Sequence, residues 1–386
     1  MLLDNKKIAI VGGGPGGLTL ARLLQIGGAD VKVYERDHSR EARVQGAIVD
    51  LHFDTGLKAI EEAGLLERFK VQYMAGADRY RILDKNAIIR YDEHNEDHAV
   101  SFDNVHFRPE IDRGTLRNLL LDALQPGTVI WNSQFISMEL VNKEWKLELG
   151  NGTTATADIV IGSDGARSKI RPYVTDFKPQ YSGVTIIQGE VEDPGKNCAE
   201  MYALMNNANM SAFGDGKIIS IQPRGDGGIT FYASARQSDN WVKTGDIDFN
   251  NPKEVNAFLT GFFEGWAPVF FTLFNACTNF TLRPLNCIPL DQTWEAQPNV
   301  TLIGDAAHIM PPSGEGVNLA MLDALELCEC LTSDDFNEIQ TAIASYERNM
   351  RERAAKEAED ALEMKEWMHA EGALENMVNL ISSATS

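Results

Sequence analysis

Residues 8–18 read Ile8-Ala-Ile-Val-Gly-Gly-Gly-Pro-Gly-Gly-Leu18, and the fold follows from how that run is parsed. Ile8 to Val11 is apolar on both alternating faces, the pattern of a parallel strand covered on each side, and Leu18 to Leu24 has helical spacing. Between them Gly12, Gly14 and Gly17 form the pattern GxGxxG. The first glycine permits a tight turn, the second admits a pyrophosphate where a side chain would stand, and the third lets the helix pack closely on the strand. The helix start then offers unpaired N–H groups and partial positive charge to phosphates. By itself the pattern is weak evidence. Here a second β-run, Val31 to Tyr34, ends on Glu35, at the distance where a carboxylate accepts hydrogen bonds from ribose hydroxyls, and this completes a βαβ unit. Glu35 followed by Arg36 leaves the dinucleotide open, because the carboxylate suits FAD or NAD and the arginine could meet a phosphate.

At 386 residues, 44% apolar and 24% charged, with no tandem repeat or low-complexity tract, the chain is expected to form one large domain carrying a smaller one. A formal charge of −21 repels phosphate backbones and anionic lipid, so neither nucleic acid nor membrane is an expected partner. The cysteines (Cys198, Cys277, Cys287, Cys328, Cys330) are odd in number and scattered, and read as free thiols in a reducing cytoplasm. The apolar run near the N-terminus passes straight into glycines, as a core strand does and a signal peptide does not. A cytoplasmic monomer is expected. HExxH, paired HxH and GxSxG are absent, which is consistent with chemistry carried by a bound cofactor instead of by a metal site or a side-chain catalytic group and does not by itself establish it.

Two later stretches discriminate among dinucleotides. Ala157-Asp-Ile-Val-Ile-Gly-Ser-Asp-Gly-Ala-Arg-Ser-Lys-Ile-Arg171 runs from a strand into Asp164-Gly165 and a helix-start pattern. Val300-Thr-Leu-Ile-Gly-Asp-Ala-Ala-His308 ends a strand on Gly304-Asp305 and continues through Pro312-Ser-Gly-Glu-Gly-Val-Asn318. With GxGxxG, these DG and GD motifs resemble the class A flavoprotein aromatic hydroxylases typified by p-hydroxybenzoate hydroxylase. Val33-Tyr-Glu-Arg-Asp37, Arg40-Glu-Ala-Arg43, Asp50-Leu-His52 and Pro109-Glu-Ile-Asp-Arg113 look nearest to the tetracycline-inactivating monooxygenases of that family.

The resemblance implies tightly bound FAD, NAD(P)H as a transient co-substrate, and dioxygen and a small organic molecule as reactants. In that family a flavin hydroperoxide hydroxylates the substrate, here a phenolic, enolic or polycyclic compound with a tetracycline-like antibiotic among the candidates. A flavin reductase without oxygen insertion and a non-catalytic flavoprotein remain as alternatives, while the WxWxIP signature of the flavin halogenases is absent. Position by position, Gly12, Gly14 and Gly17 would meet the pyrophosphate, Glu35 the adenosine ribose with Arg36 beside it, Arg43 and Arg113 the flavin side, and Asp305 the ribityl chain. Asp164 and Gly165 belong to the DG motif. Pro312, Gly314, Gly316, Val317 and Asn318 would lie along the isoalloxazine. His308 is expected to be a hydrogen-bonded residue of the GD turn and not a catalyst.

The fold expected is α/β: a Rossmann-type FAD-binding domain (1–70, 101–180 and 275–330), a β-sheet substrate domain (71–100 and 181–274), and a long C-terminal bracing helix over 331–386. Within the sheet, Val184 to Gln188 and Gly228 to Ala233 alternate apolar and polar. Gln188 matches a substrate-contacting glutamine of the tetracycline-inactivating enzymes, whereas their substrate-contacting arginine and histidine fall at Asn209 and Thr230. Gln188, Asn209, Phe213, Thr230 and Tyr232 are the candidate substrate residues.

Overall fold

The computed structural model describes residues 2–42, 48–95, 101–238, 241 and 247–384. The apolar run at the N-terminus is strand β1 (Lys7–Val11), followed by helix α1 (Pro15–Ile26) and strand β2 (Asp30–Tyr34). These build a fully parallel five-stranded sheet in the spatial order Val300–Leu302, Ile159–Gly162, β1, β2, Val129–Ile130. Ile8, Ala9, Ile10 and Val11 are all buried, as both-sided covering requires. Helix α1 packs on the helix Gly316–Thr332, which in turn packs on a 30-residue helix, Ile339–Met368. The long helix turns Ala342, Ile343, Tyr346, Met350 and Ala354 inward at helical spacing, and the Tyr346 hydroxyl donates to the Leu302 carbonyl at 2.9 Å.

The second body is a seven-stranded sheet in the order Phe280–Cys287, Gln180–Val191, Ile229–Arg236, Lys217–Pro223, Asn209–Gly214, Tyr80–Asp84, Ile89–Asp92. Alternation splits each strand between two faces. Ile187, Val191, Met210, Ile219, Ile221 and Phe231 point toward the helices Ala199–Met205, Pro252–Phe262 and Pro268–Ala276 and form their own core. Gln188, Asn209, Phe213, Thr230, Tyr232 and Arg283 share the opposite face. A two-stranded ribbon, Ile48–Asp50 with Glu110–Asp112, lies between the two bodies, and Glu110 bonds Asn209 across the seam.

Three expectations need correction. The strand Phe280–Cys287 belongs to the substrate sheet and not to the cofactor domain, and the helix Pro268–Ala276 crosses the boundary placed at 275. Pro284 masks that strand in the sequence, yet proline is tolerated on an edge strand, which this is. The C-terminal region is two helices, because Gly372 adopts φ +83° and a separate helix, Ala373–Ala384, follows. That last helix covers one end of the polar sheet face, and Phe213 is packed beneath it with Ile82, Ile218, Ala373 and Met377 instead of lining a site. Strand alternation gave Phe213 the right face. It could not say which end of that face a distant helix would cover.

Truncating Phe213 to alanine is therefore expected to lower stability by about 3–5 kcal/mol in urea denaturation. A change within about 0.5 kcal/mol would place the side chain outside the core.

Candidate cofactor and substrate site

Parallel pairing brings the three motif turns together. Val11, Gly162 and Leu302 are register neighbours at the carboxyl ends of adjacent strands. Ser163 N–H donates to Val11 O at 2.9 Å and Ile303 N–H to Gly162 O at 2.9 Å. The GxGxxG, DG and GD turns thus form one ledge at the strand ends, where open α/β sheets bind ligands. Gly12 has φ +112°, and a β-carbon there would collide with the Ser163 carbonyl. A β-carbon on Gly17 would strike the Gly12 carbonyl and the Ser163 hydroxyl, which itself donates to Gly12 O at 2.8 Å. A β-carbon on Gly14 would meet nothing within 4 Å and would fill the open side of the ledge.

Glu35 is buried, and its two carboxylate oxygens accept from Gly13 N–H at 2.6 Å and Asp37 N–H at 3.0 Å. It therefore locks the glycine turn in addition to any role toward a ribose. Arg36 is exposed just past the end of β2. Arg43 lies outside the described residues. Asp164 caps its own turn through Oδ2, accepting from Lys169 N–H at 2.7 Å, while Oδ1 is buried and has no hydrogen-bond partner among the described residues. Burial pushes its carboxyl above the usual range.

Arg113 and Asp305 lie opposite each other between the two bodies. Burial is the main influence on both, lowering the arginine and raising the aspartate, yet both side chains keep exposed surface. The open side of Gly14, the partnerless Asp164 oxygen and this opposed Arg–Asp pair fit a flavin dinucleotide. Gly316, Val317 and Asn318 form the first turn of the helix Gly316–Thr332, where N–H groups have no intrahelical partner. The Asn318 side chain is otherwise engaged: it donates to Asp50 O at 3.0 Å and accepts from His52 N–H at 2.9 Å. With its side chain so engaged, only its backbone is left for a cofactor. Pro312 and Gly314 are exposed on the preceding loop.

Several fastening residues escaped sequence reasoning. Arg117 is buried behind the glycine turn, donating to Gly13 O at 3.3 Å and to Asp37 at 3.2 Å. Its spacing of four from Arg113 on the helix Arg113–Leu121 was the available signal. Arg171 donates to the Ala306 and Ala307 carbonyls at 2.9 and 2.6 Å, binding the DG side to the GD turn, and burial lowers it to about 10. His308 is buried as expected, 2.6 Å from Asp323. Burial disfavours its charged form, but Asp323 outweighs that and raises it. Asp323 also accepts from Gly304 N–H at 2.8 Å and from Arg353 at 2.7 Å, tying the long helix to the same turn.

On the substrate side, Tyr232 and Arg283 face Arg113 closely enough to influence its charge. Gln188 accepts from Arg283 Nε at 2.5 Å and donates to Glu190 at 3.2 Å. Asn209 and Thr230 are buried. The Asn209 amide donates to Ala77 O at 3.1 Å and to Glu110 at 2.9 Å, so it ties the seam together instead of projecting freely. Burial, reinforced by Asp50, pushes Glu110 up to about 8, and its Oε2 has no hydrogen-bond partner among the described residues. The thiols are free and no cluster of metal-ligating residues occurs among the described residues. No described helix is long and apolar enough to cross a membrane.

The family model described as "FAD binding domain" matches residues 5–186 and 292–361. The monooxygenase penA of Penicillium thymicola is 26% identical, over 91% of this chain and 92% of its own. The structure of Klebsiella pneumoniae HpxO complexed with FAD and uric acid superposes with a TM-score of 0.77 at 21% identity, covering 99% of this chain and 93% of that one. The tetracycline destructase Tet(55) gives 0.75 at 19% identity, covering 100% and 97%.

The two glycines should separate folding from binding. Gly17→Ala is expected to lose about 1–3 kcal/mol of stability through overpacking, whereas Gly14→Ala keeps its melting temperature and binds FAD at least about tenfold more weakly because the methyl occupies the ledge. Equal FAD affinity in Gly14→Ala, by fluorescence titration, would contradict this. Glu110 gives a pH signature. Its folded value of about 8 lies above the ordinary 4.5, so its contribution to stability is complete below 4.5 and is lost as pH rises through about 8. Glu110→Gln should remove that decline, and an unchanged pH dependence of denaturation would count against it.

Proposed function

Because the chain belongs to the FAD binding domain family and is an FAD-dependent monooxygenase, we propose that it draws hydride from NAD(P)H and places one atom of dioxygen on a phenolic, enolic or polycyclic small molecule. The observation that carries this reading is the meeting of three backbone turns on one ledge at the carboxyl ends of adjacent parallel strands. When bound, FAD supplies the redox chemistry. The chain's own task is to bind, orient and exclude water.

Gly12 and Gly14 offer backbone to the pyrophosphate, with Glu35 and Arg117 keeping that turn rigid from behind. Asp305 and Arg113 hold opposite edges of the site, and the first turn of the helix Gly316–Thr332 turns unpaired N–H groups toward developing negative charge. Arg171 and the His308–Asp323–Arg353 chain fix the GD turn, so these groups are set before any ligand arrives. Tyr232, kept protonated chiefly by burial, Gln188 and Arg283 face the substrate. Asn209, engaged at the seam, and the fully buried Thr230 offer a tetracycline no charged contact.

Purified protein is expected to be yellow with one FAD per chain, and to consume NADH or NADPH and oxygen in equal amounts when given its substrate from a panel of phenols, hydroxylated N-heterocycles and tetracyclines. The product gains the mass of one oxygen atom. Colourless protein that takes up no FAD refutes the proposal, and reduced nucleotide consumed without any oxygenated product makes the protein a reductase.

A further inference from the structure

The segment Asp50-Leu51-His52 leaves the ribbon between the two bodies and reaches the loop that precedes the helix Gly316–Thr332. The His52 ring is mostly buried between two carboxylates on different elements: Nε2 lies 2.8 Å from Asp50 Oδ2, and Nδ1 lies 3.0 Å from Glu315 Oε1. A carboxylate only accepts, and a neutral imidazole would turn a lone pair toward one of the two, so both nitrogens carry protons and the ring is a fixed cation. Burial opposes that charge, but the two carboxylates outweigh it and raise His52 to about 9. Asp50 in turn faces Glu110, and Glu315 faces Glu357 of the long helix, which has Asp360, Lys356 and Arg353 around it.

Glu315 is the residue immediately before the helix Gly316–Thr332, where a carboxylate has a favourable place of its own. First-turn N–H groups lack intrahelical partners and the helix end carries partial positive charge, so an acidic side chain there is drawn back onto them. Glu315 does not go there: its side chain makes no hydrogen bond to its own helix. Asn318, the other polar residue of that turn, is also drawn away, by the Asp50 carbonyl at 3.0 Å and the His52 N–H at 2.9 Å. The single π-helical turn Phe53–Leu57 that follows His52 packs against the same helix, and a β-carbon on Gly56 would collide with the Asn318 side chain. One short segment thus clears both polar side chains from the helix start.

We propose that His52 is a positioning residue of the cofactor site: its ring holds the Glu315 carboxylate off the start of the helix Gly316–Thr332, so that the first-turn N–H groups stay open to the negative charge of a reduced flavin. The inference rests on the reading of this helix start as part of the FAD site. Without the ring, Asp50 and Glu357 repel Glu315 toward the helix N–H groups, where its charge opposes that of the flavin.

The test uses the holoenzyme and two readouts. In wild-type protein the imidazole nitrogen NMR shifts of His52 should be those of a doubly protonated ring at about pH 8, where an ordinary imidazole is neutral. A neutral ring overturns the proposal. His52→Ala should favour oxidised over reduced flavin by about tenfold, which lowers the midpoint potential of the two-electron couple by about 30 mV. Adding Glu315→Ala should return the potential to the wild-type value, because the competing carboxylate is gone, and Glu315→Ala alone should not lower it. His52→Gln takes the place of the alanine variant if that variant retains no FAD. An unmoved potential in the single His52 variant overturns the proposal, as does a lowered potential, or a loss of FAD from both His52 variants, that Glu315→Ala fails to restore. Colourless wild-type protein overturns the cofactor reading and this inference together, whereas yellow wild-type protein with an unmoved potential in the variant overturns this inference alone.

Discussion

The structure depends on one close approach: Gly12 against Ser163, where the turn after β1 lies against the turn after its neighbouring strand. Parallel strands sit about 4.8 Å apart, so three adjacent carboxyl ends necessarily deliver their turns to one narrow ledge. Within the GxGxxG turn no side chain fits at Gly12 or Gly17, whereas one is sterically free at Gly14, on the side where a ligand would lie. The ledge is therefore a property of backbone, which explains why the recognisable residues are mostly glycines and turn formers.

Backbone turns alone would be soft, and the buried charges around them are arranged as fasteners. Asp323 holds Gly304 N–H, His308 and Arg353 together, so one carboxylate joins the GD turn to the long helix. Arg171 does the same between the DG and GD turns, and Arg117 between the glycine turn and Asp37. Removing one partner from such a set strands the others in low dielectric, so these contacts act as a unit. Glu110 and Asn209 extend the arrangement across the seam to the substrate sheet.

What the sequence revealed and what it hid divides along physical lines. The βαβ unit, the DG and GD turns and the alternating strands rest on local periodicity and turn chemistry, and β1, α1, Gln180–Val191 and Ile229–Arg236 lie where that periodicity places them. The edge strand Phe280–Cys287 was hidden by Pro284, which disrupts alternation without preventing an edge pairing. Arg171 and Arg283 were hidden for another reason, and Arg117 showed only its helical spacing from Arg113: an arginine's role depends on which distant carbonyl or carboxamide it reaches, and local sequence does not encode that partner. Phe213 and Asn318 show the same limit. Each lies on the element expected of it, but the helix Ala373–Ala384 in one case and the Asp50–His52 backbone in the other claims its side chain.

The central claim, that these three turns form a cradle for FAD between Arg113 and Asp305, is most directly tested by a crystal structure of the protein grown with FAD. Electron density for the pyrophosphate at Gly12–Gly14, with the ring system between Arg113 and the start of the helix Gly316–Thr332, is the result the account predicts. Density at any other place, or side chains filling that space with no flavin bound, would contradict it.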